Sequence, residues 1–173
     1  MSLPLAFLDS FTGAIDFIFS QRESFGGGTQ VGGLEQVGDL MLRHIWVSAA
    51  ALGVGLAIAL PLGTYLGHRG RGEALAVAVG NAGRAIPELV LIAVLVAFVG
   101  TGFVNVTIAL SILAIPPILT NTFVGIRQVD RNAVEAARGV GMTEREIALR
   151  VELPLAAPTI MTGVRTGAIN VIA

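Results

Sequence analysis

Long apolar runs alternate with short polar segments along most of the chain, and their lengths match the thickness of a bilayer. The clearest run, 45–67, contains 23 residues without a charge, which is roughly 35 Å of helix against a hydrocarbon core of about 30 Å. Less regular apolar runs follow at 74–99, 104–126 and 157–173. We therefore predict an all-α, polytopic membrane helical bundle with four spans.

Polar residues and prolines interrupt the later runs. Charges within a bilayer are costly and face the protein interior or a water-filled path, and prolines leave carbonyl groups without a helical partner. Packing explains them equally well, since Arg84 and Glu88 stand four residues apart and can form a structural ion pair. The candidates for a translocation path are Arg84, Pro87, Glu88, Asn121 and Arg165.

The first 43 residues have a different character. Phe7, Phe11 and Ile15 recur near helical spacing in a segment too polar to span a bilayer, which indicates an interfacial helix. Gly26–Gly38 is rich in glycine and predicts a flexible connector. We thus expect an extracytoplasmic N-terminal region, 1–43, followed by a membrane domain, 44–173.

The polar segment 127–154 carries local signals for two short helices. Asp130 is placed to cap a first helix, and Gly139 and Gly141 permit a turn after it. Thr143 and Glu146 have the spacing of a capping box, so a second helix should begin at Glu144. Because proline lacks an N–H group, we expect this helix to stop before Pro154.

The first of these two helices has a face of small apolar residues. A helix with small side chains can enter a groove deeply, so this face suits docking to another protein. A juxtamembrane hairpin without a partner is the simpler alternative. The small residues are Ala133, Val134, Ala136, Ala137 and Val140.

Charge and composition change the picture in two ways. The mean hydropathy of +0.79 and the 13% of charged residues are typical of an integral membrane protein. Arginines cluster at 69–71 and in 127–150, whereas the turn at Gly100 has none. The positive-inside rule therefore predicts that 127–154 is cytoplasmic and that the N-terminus is outside.

Candidate chemistry within the chain is sparse. Lysine and cysteine are absent, which excludes a GxxxxGK[ST] phosphate loop, a disulfide and a thiolate metal site. No HExxH or GxSxG motif occurs. We therefore expect no enzyme activity, cofactor or metal in this chain, and we expect any ATP and Mg²⁺ to be bound by a separate subunit.

Segment 127–154 also resembles a known motif. The order Glu-Ala-Ala at 135–137, Gly141, and then Leu-Pro at 153–154 is similar to the EAA loop of ABC importer permeases. The resemblance implies that the loop inserts into a cleft of an ATPase subunit and transmits its motion. It assigns ATPase coupling to Glu135, Ala136, Ala137, Gly141, Leu153 and Pro154.

The resemblance extends over nearly all of 44–173. Stretches such as NAGRAIPELVLIAVL and LPLAAPTIMTGVRT resemble permeases for osmoprotectants of the glycine betaine, carnitine and choline type. This implies the MetI-like core of a type I ABC importer permease, in the cell membrane. It also implies a second permease subunit, an ATPase and an extracytoplasmic binding protein as partners. That core has at least five spans, so we expect this chain to be truncated or incompletely represented.

Two alternatives to this function stay open at the level of sequence. The same machine could import another small solute, such as an amino acid, since this chain has one Trp and one Tyr and offers no aromatic cage for a quaternary cation. The other alternative is a channel-like or scaffold membrane protein, which small-residue helices and kinks would serve equally well.

Overall fold

The computed structural model describes residues 3–23, 30–85 and 87–172. The chain forms two compact units, Met1–Trp46 and Val47–Ala173. The first contains a helix and a small hairpin, and the second contains a helical bundle. The all-α prediction thus holds for the second unit, whereas the hairpin was not expected.

The first unit begins with α1, Leu3–Phe19. Strand β1, Gln21–Glu23, then pairs antiparallel with β2, Gln30–Gly32. The next helix, α2, starts at Gly33 and runs to Arg69. Phe11 and Phe19 of α1 are exposed, and the interfacial position of this helix stays a prediction.

The expected flexible connector over Gly26–Gly38 is wrong for residues 30–38. These residues form strand β2 and the first turns of α2. Gly32 and Gly33 both have positive φ, +93° and +83°, a conformation that residues with a side chain rarely adopt. The glycines therefore build a defined strand-to-helix turn. Residues 24–29 lie outside the described part of the chain.

Three helices in the described part of the chain are long and apolar enough to cross a membrane. These are α2, then α5 at Phe103–Arg127, and a continuous helix at Glu144–Ile172. They contain the predicted spans 45–67 and 104–126 and the described part of 157–173, and each extends beyond the apolar run. Length and composition thus agree with a membrane protein.

The predicted second span, 74–99, is divided. Helix α3, Glu73–Ala85, and helix α4, Glu88–Val99, have 13 and 12 residues, and both are shorter than a span. Pro87 stands before α4 in an extended conformation, with φ −66° and ψ 122°. Proline has a fixed φ and no N–H to donate, so the predicted interruption falls at this residue.

Helix α5 is the centre of the second unit. Its neighbours approach it through glycines: a Cβ on Gly63 of α2 would lie 2.7 Å from the Cβ of Thr122. A Cβ on Gly163 would lie 2.7 Å from the carbonyl oxygen of Pro117. Such backbone contacts are the usual form of close helix packing in membranes. Thirteen residues of α5 are buried, which makes it the core of the bundle.

Three short elements connect α5 to the last helix, α8, at Leu153–Ile172. They are α6 at Arg131–Gly139, α7 at Glu144–Ile147 and a π-helical turn at Ala148–Glu152. An apolar cluster fixes them to the bundle. It contains Ile126, Val129, Val134, Ala137, Ile147, Ala156 and Ile160.

Candidate functional site

The caps predicted for segment 127–154 are present. The Asp130 carboxylate accepts a hydrogen bond from the backbone N–H of Asn132 at 2.9 Å. At the second helix, the backbone N–H of Thr143 donates to Glu146 at 3.0 Å, and the hydroxyl of Thr143 accepts from the N–H of Glu146 at 3.4 Å. These bonds satisfy amide groups that helix ends otherwise leave unpaired.

The turn between the two helices depends on a single glycine, although the sequence predicts a turn at two. Gly141 has φ +88°, and no neighbouring atom lies within 4 Å of the position that a Cβ would take. Gly139 is helical and is the last residue of α6. Only Gly141 adopts the left-handed conformation that disfavours a side chain. A substitution at Gly141 should therefore strain this turn.

The expected helix stop before Pro154 is wrong. The chain passes from α7 through the π-helical turn Ala148–Glu152 into α8 without a break. A π-helical turn shifts the hydrogen-bond register by one residue. Pro154 is the second residue of α8 and lies directly after this change of register. Segment 127–154 is therefore joined to α8 by continuous helix.

The small-residue face of α6 divides into two parts. Val134 and Ala137 are 4% and 8% exposed and belong to the apolar cluster of the bundle. They are therefore not available to a partner, contrary to the expected docking face. Glu135 and Ala136 are exposed, and Val140 is 80% exposed. The outward surface of the segment thus contains an acid, a small residue and an apolar side chain.

A charged cluster beneath this surface was not found from the sequence. His68, at the end of α2, has its Nδ1 2.5 Å from a carboxylate oxygen of Glu152 and its Nε2 3.2 Å from one of Glu144. Arg138 of α6 makes two hydrogen bonds to Glu144, at 2.9 Å and 3.0 Å. Hydrogen bonding to Glu144 raises the pKa of the Arg138 guanidinium above its usual value. Four ionisable side chains thus join α2 to segment 127–154.

This cluster lies at the edge of a cleft of about 960 Å³. Leu153, which the resemblance assigned to coupling, is half-buried and lines the cleft, while Pro154 is exposed. Glu152 is almost fully buried, at 2% exposure. No local pattern signals this burial, because 84 positions separate Glu152 from its partner His68.

The translocation-path candidates whose side chains the structure describes, Pro87, Asn121 and Arg165, do not line a common cavity. Asn121 borders a cavity of about 240 Å³ and donates a hydrogen bond to the carbonyl of Pro117 at 2.8 Å. Pro87 and Arg165 are exposed and do not line that cavity. The side chains of Arg84 and Glu88 lie outside the described residues. Other polar residues of the cavity, Thr120, Thr166 and Asn170, were not among the predicted candidates.

Comparison with known proteins identifies the fold. Residues 53–173 match the family described as binding-protein-dependent transport system inner membrane component. The chain belongs to this family. Its segment 127–154 and all the helices from α3 onward lie within the match. Membership confirms the predicted helical permease core and places the chain in a membrane.

Several curated relatives are similar to the chain. It is 37% identical over 131 residues to the carnitine transport permease protein OpuCB of Listeria monocytogenes, covering 76% of this chain and 60% of the relative. It is 38% identical over 138 residues to the choline transport system permease protein OpuBB of Bacillus subtilis (strain 168), covering 78% and 64%.

A third relative has a broader name. The glycine betaine/carnitine/choline transport system permease protein OpuCB of Bacillus subtilis (strain 168) is 36% identical over 138 residues, with 78% of this chain and 64% of the relative covered. The chain thus spans about three fifths of the length of these relatives. These relatives confirm the predicted resemblance of the chain to osmoprotectant permeases.

Proposed function

We propose that this chain is a membrane-spanning permease subunit of an ABC importer and that residues 127–154, the coupling segment, dock on a separate ATPase subunit. The observation that carries this proposal is the division of α6. Val134 and Ala137 fix the helix to the bundle, while Glu135, Ala136 and Val140 remain exposed. A fixed base with an outward surface is what a force-transmitting contact requires.

The continuity of the helix from Glu144 to Ile172 supports the same function. A displacement of the coupling segment would be transmitted directly to α8, which packs along α5. A channel or passive scaffold has no need of such a capped projection, so this feature favours a driven transporter. In this proposal the coupling segment is cytoplasmic, the N-terminus is outside, and ATP and Mg²⁺ are bound by the ATPase subunit.

The solute is proposed from the relatives. Their names specify carnitine, choline and glycine betaine, all of which carry a quaternary ammonium group. An aromatic cage would hold this cation through cation–π attraction, and we place that cage in an extracytoplasmic binding protein. A second permease subunit would complete the path. Asn121, which borders the small polar cavity, is the path candidate that we keep for testing.

The coupling role is tested by two glycines with positive φ. Gly141 and Gly100 have φ +88° and +81°, and at neither site does any neighbouring atom lie within 4 Å of the position that a Cβ would take. Alanine is thus strained at both sites by the backbone conformation and not by a steric clash with a neighbour. We expect Gly141→Ala to lower solute uptake per ATP hydrolysed by roughly tenfold, because the strain displaces the turn of the coupling segment.

Gly100→Ala is the matched control, since it also introduces a side chain at a positive φ, but in the turn between α4 and α5. It should keep uptake per ATP close to that of the unmodified transporter. Both variants are measured in proteoliposomes with the ATPase and binding protein, at equal membrane insertion. Equal uptake per ATP for Gly141→Ala and the unmodified protein would contradict the coupling role.

The solute is tested by competition. Uptake of radiolabelled choline by the assembled transporter should be inhibited by carnitine or glycine betaine, because all three present the same cationic group. An amino acid without a quaternary ammonium group should not compete. If the transporter takes up such an amino acid but takes up none of the three quaternary amines, the alternative solute class is correct.

A further inference from the structure

The charged cluster connects elements that lie far apart in the sequence. His68 closes the first long helix, Arg138 lies on α6, Glu144 begins α7, and Glu152 lies in the π-helical turn. The histidine is the only one of the four outside the coupling segment. It therefore links α2 to a segment that the backbone connects directly to α5 and α8.

His68 bridges two carboxylates of the coupling segment. Each ring nitrogen faces a carboxylate oxygen, at 2.5 Å for Glu152 and 3.2 Å for Glu144. Ionised carboxylates accept hydrogen bonds and have none to donate. His68 is therefore the side chain of α2 that is placed to satisfy both carboxylates, and Arg138 is a second partner of Glu144.

Burial makes this pairing strong. The side chain of Glu152 is 3% exposed and that of His68 is 14% exposed. A buried carboxylate without a cation or donor is strongly destabilised. The contact therefore holds the π-helical turn against α2, whereas the Arg138–Glu144 pair lies at an exposed rim.

The same end of α2 is also packed tightly on α5. A Cβ on Gly67 would lie 2.7 Å from the Cβ of Ile126. The residue preceding His68 thus contacts the central helix, and His68 contacts the coupling segment. This end of α2 thus lies between the central helix and the coupling segment.

We propose that His68 is a positioning residue that clamps α2 to the coupling segment, so that motion of the segment moves α2 together with α8. The inference rests on the proposed coupling function and adds the route by which motion reaches α2. It assigns to the His68–Glu152 pair a role in transmission in addition to its contribution to folding.

The test uses two substitutions of His68. His68→Gln directs an amide oxygen or a single NH₂ group at two carboxylates, so the clamp should loosen. His68→Arg offers several donors to both carboxylates. The cleft of about 960 Å³ beside His68 gives the longer side chain room.

We expect His68→Gln to lower uptake per ATP by roughly tenfold, because it removes a charge-assisted hydrogen bond, which is among the stronger kinds in proteins. His68→Arg should restore most of this loss. Both are measured in the complete transporter, with binding of the ATPase and its basal hydrolysis as controls for assembly. A histidine that served folding alone would lower the amount of assembled transporter and leave uptake per ATP unchanged.

A direct readout of α2 completes the test. The chain has no cysteine. Thr64 lies on α2 and lines the cleft, so a cysteine introduced by Thr64→Cys can be labelled specifically with a small maleimide. Its labelling rate should change on addition of ATP, and His68→Gln should abolish that change while His68→Arg retains it. An unchanged ATP response in His68→Gln would overturn the clamp.

The outcomes for the two proposals are distinguishable. If Gly141→Ala uncouples the transporter but His68→Gln does not, the coupling segment acts on the bundle without the clamp. If neither variant changes uptake per ATP, the coupling function itself is wrong.

Discussion

The two ends of helix α5 are built in different ways. At its C-terminal end, the coupling segment has capped helices, a buried apolar base and a paired charged cluster. At its N-terminal end, α4 is almost wholly apolar and presents Leu89 and Phe98 at 80% and 85% exposure. The first end is stabilised by contacts within this chain, while the surface of α4 is left for lipid or another protein.

This difference separates structure that is fixed locally from structure that depends on surroundings. A buried apolar base, hydrogen bonds and charge pairs hold the coupling segment in the presence of water, where a short helix without such contacts would be marginal. Helix α4 needs no such groups, because a membrane satisfies its apolar surface and its backbone bonds are internal. Side chains with the same chemistry should therefore contribute very differently at the two ends.

The largest difference is expected for isoleucine and leucine truncations. Ile147, at the base of the coupling segment, is 0% exposed, and its replacement by alanine should lower the free energy of unfolding by about 2–5 kcal/mol. Leu89→Ala, at 80% exposure, should change it little. Thermal unfolding in detergent measures both. Equal shifts in Tm would show that the two ends are stabilised in the same way.

A smaller effect is expected where α3 meets α5. A Cβ on Gly83 would collide with Cγ of Pro116 and lie 2.6 Å from its Cβ, and the proline ring cannot rotate away. Gly83→Ala should destabilise the protein by about 1–3 kcal/mol through overpacking. Gly53→Ala is the control, because this helical glycine has no atom within 4 Å of the added group. An unchanged Tm for Gly83→Ala would mean that α3 does not pack closely on α5.

The parts predicted from the sequence are those that neighbours in the chain decide. The caps at Asp130 and Thr143 use partners two and three residues away, so their spacing is visible in the sequence. The division at Pro87 follows equally from one residue's geometry. Apolar run length similarly located the long helices, since it reflects the thickness of the bilayer.

The parts that were missed depend on distant contacts. Pro154 does not end its helix. A π-helical turn directly before α8 changes the hydrogen-bond register at this point, and no local pattern predicts that turn. Val134 and Ala137 are indistinguishable in type from the exposed Ala136, and only packing on the bundle separates them. The clamp at His68 joins residues 84 positions apart, beyond the reach of any local pattern.

A moderate effect is expected for the capping box. Thr143→Ala removes the hydroxyl that accepts from the N–H of Glu146, and loss of such a cap costs about 0.5–2 kcal/mol. Thr162→Ala is the control, since its exposed hydroxyl only donates to a carbonyl within the same helix. Thermal unfolding should separate the two variants. Equal stability would show that tertiary packing alone holds α7 in place.

The smallest perturbation tests the orientation of the two ends. Val140 and Thr101 are both exposed, one in the coupling segment and one in the turn between α4 and α5. Cysteine at either position should leave stability unchanged, and the chain has no native cysteine to interfere. If the coupling segment meets a cytoplasmic ATPase, a membrane-impermeant maleimide should label Thr101→Cys in intact cells and Val140→Cys only in inside-out vesicles. Labelling of Val140→Cys from outside would place the docking surface on the wrong side of the membrane, and the proposed coupling to ATP would fail with it.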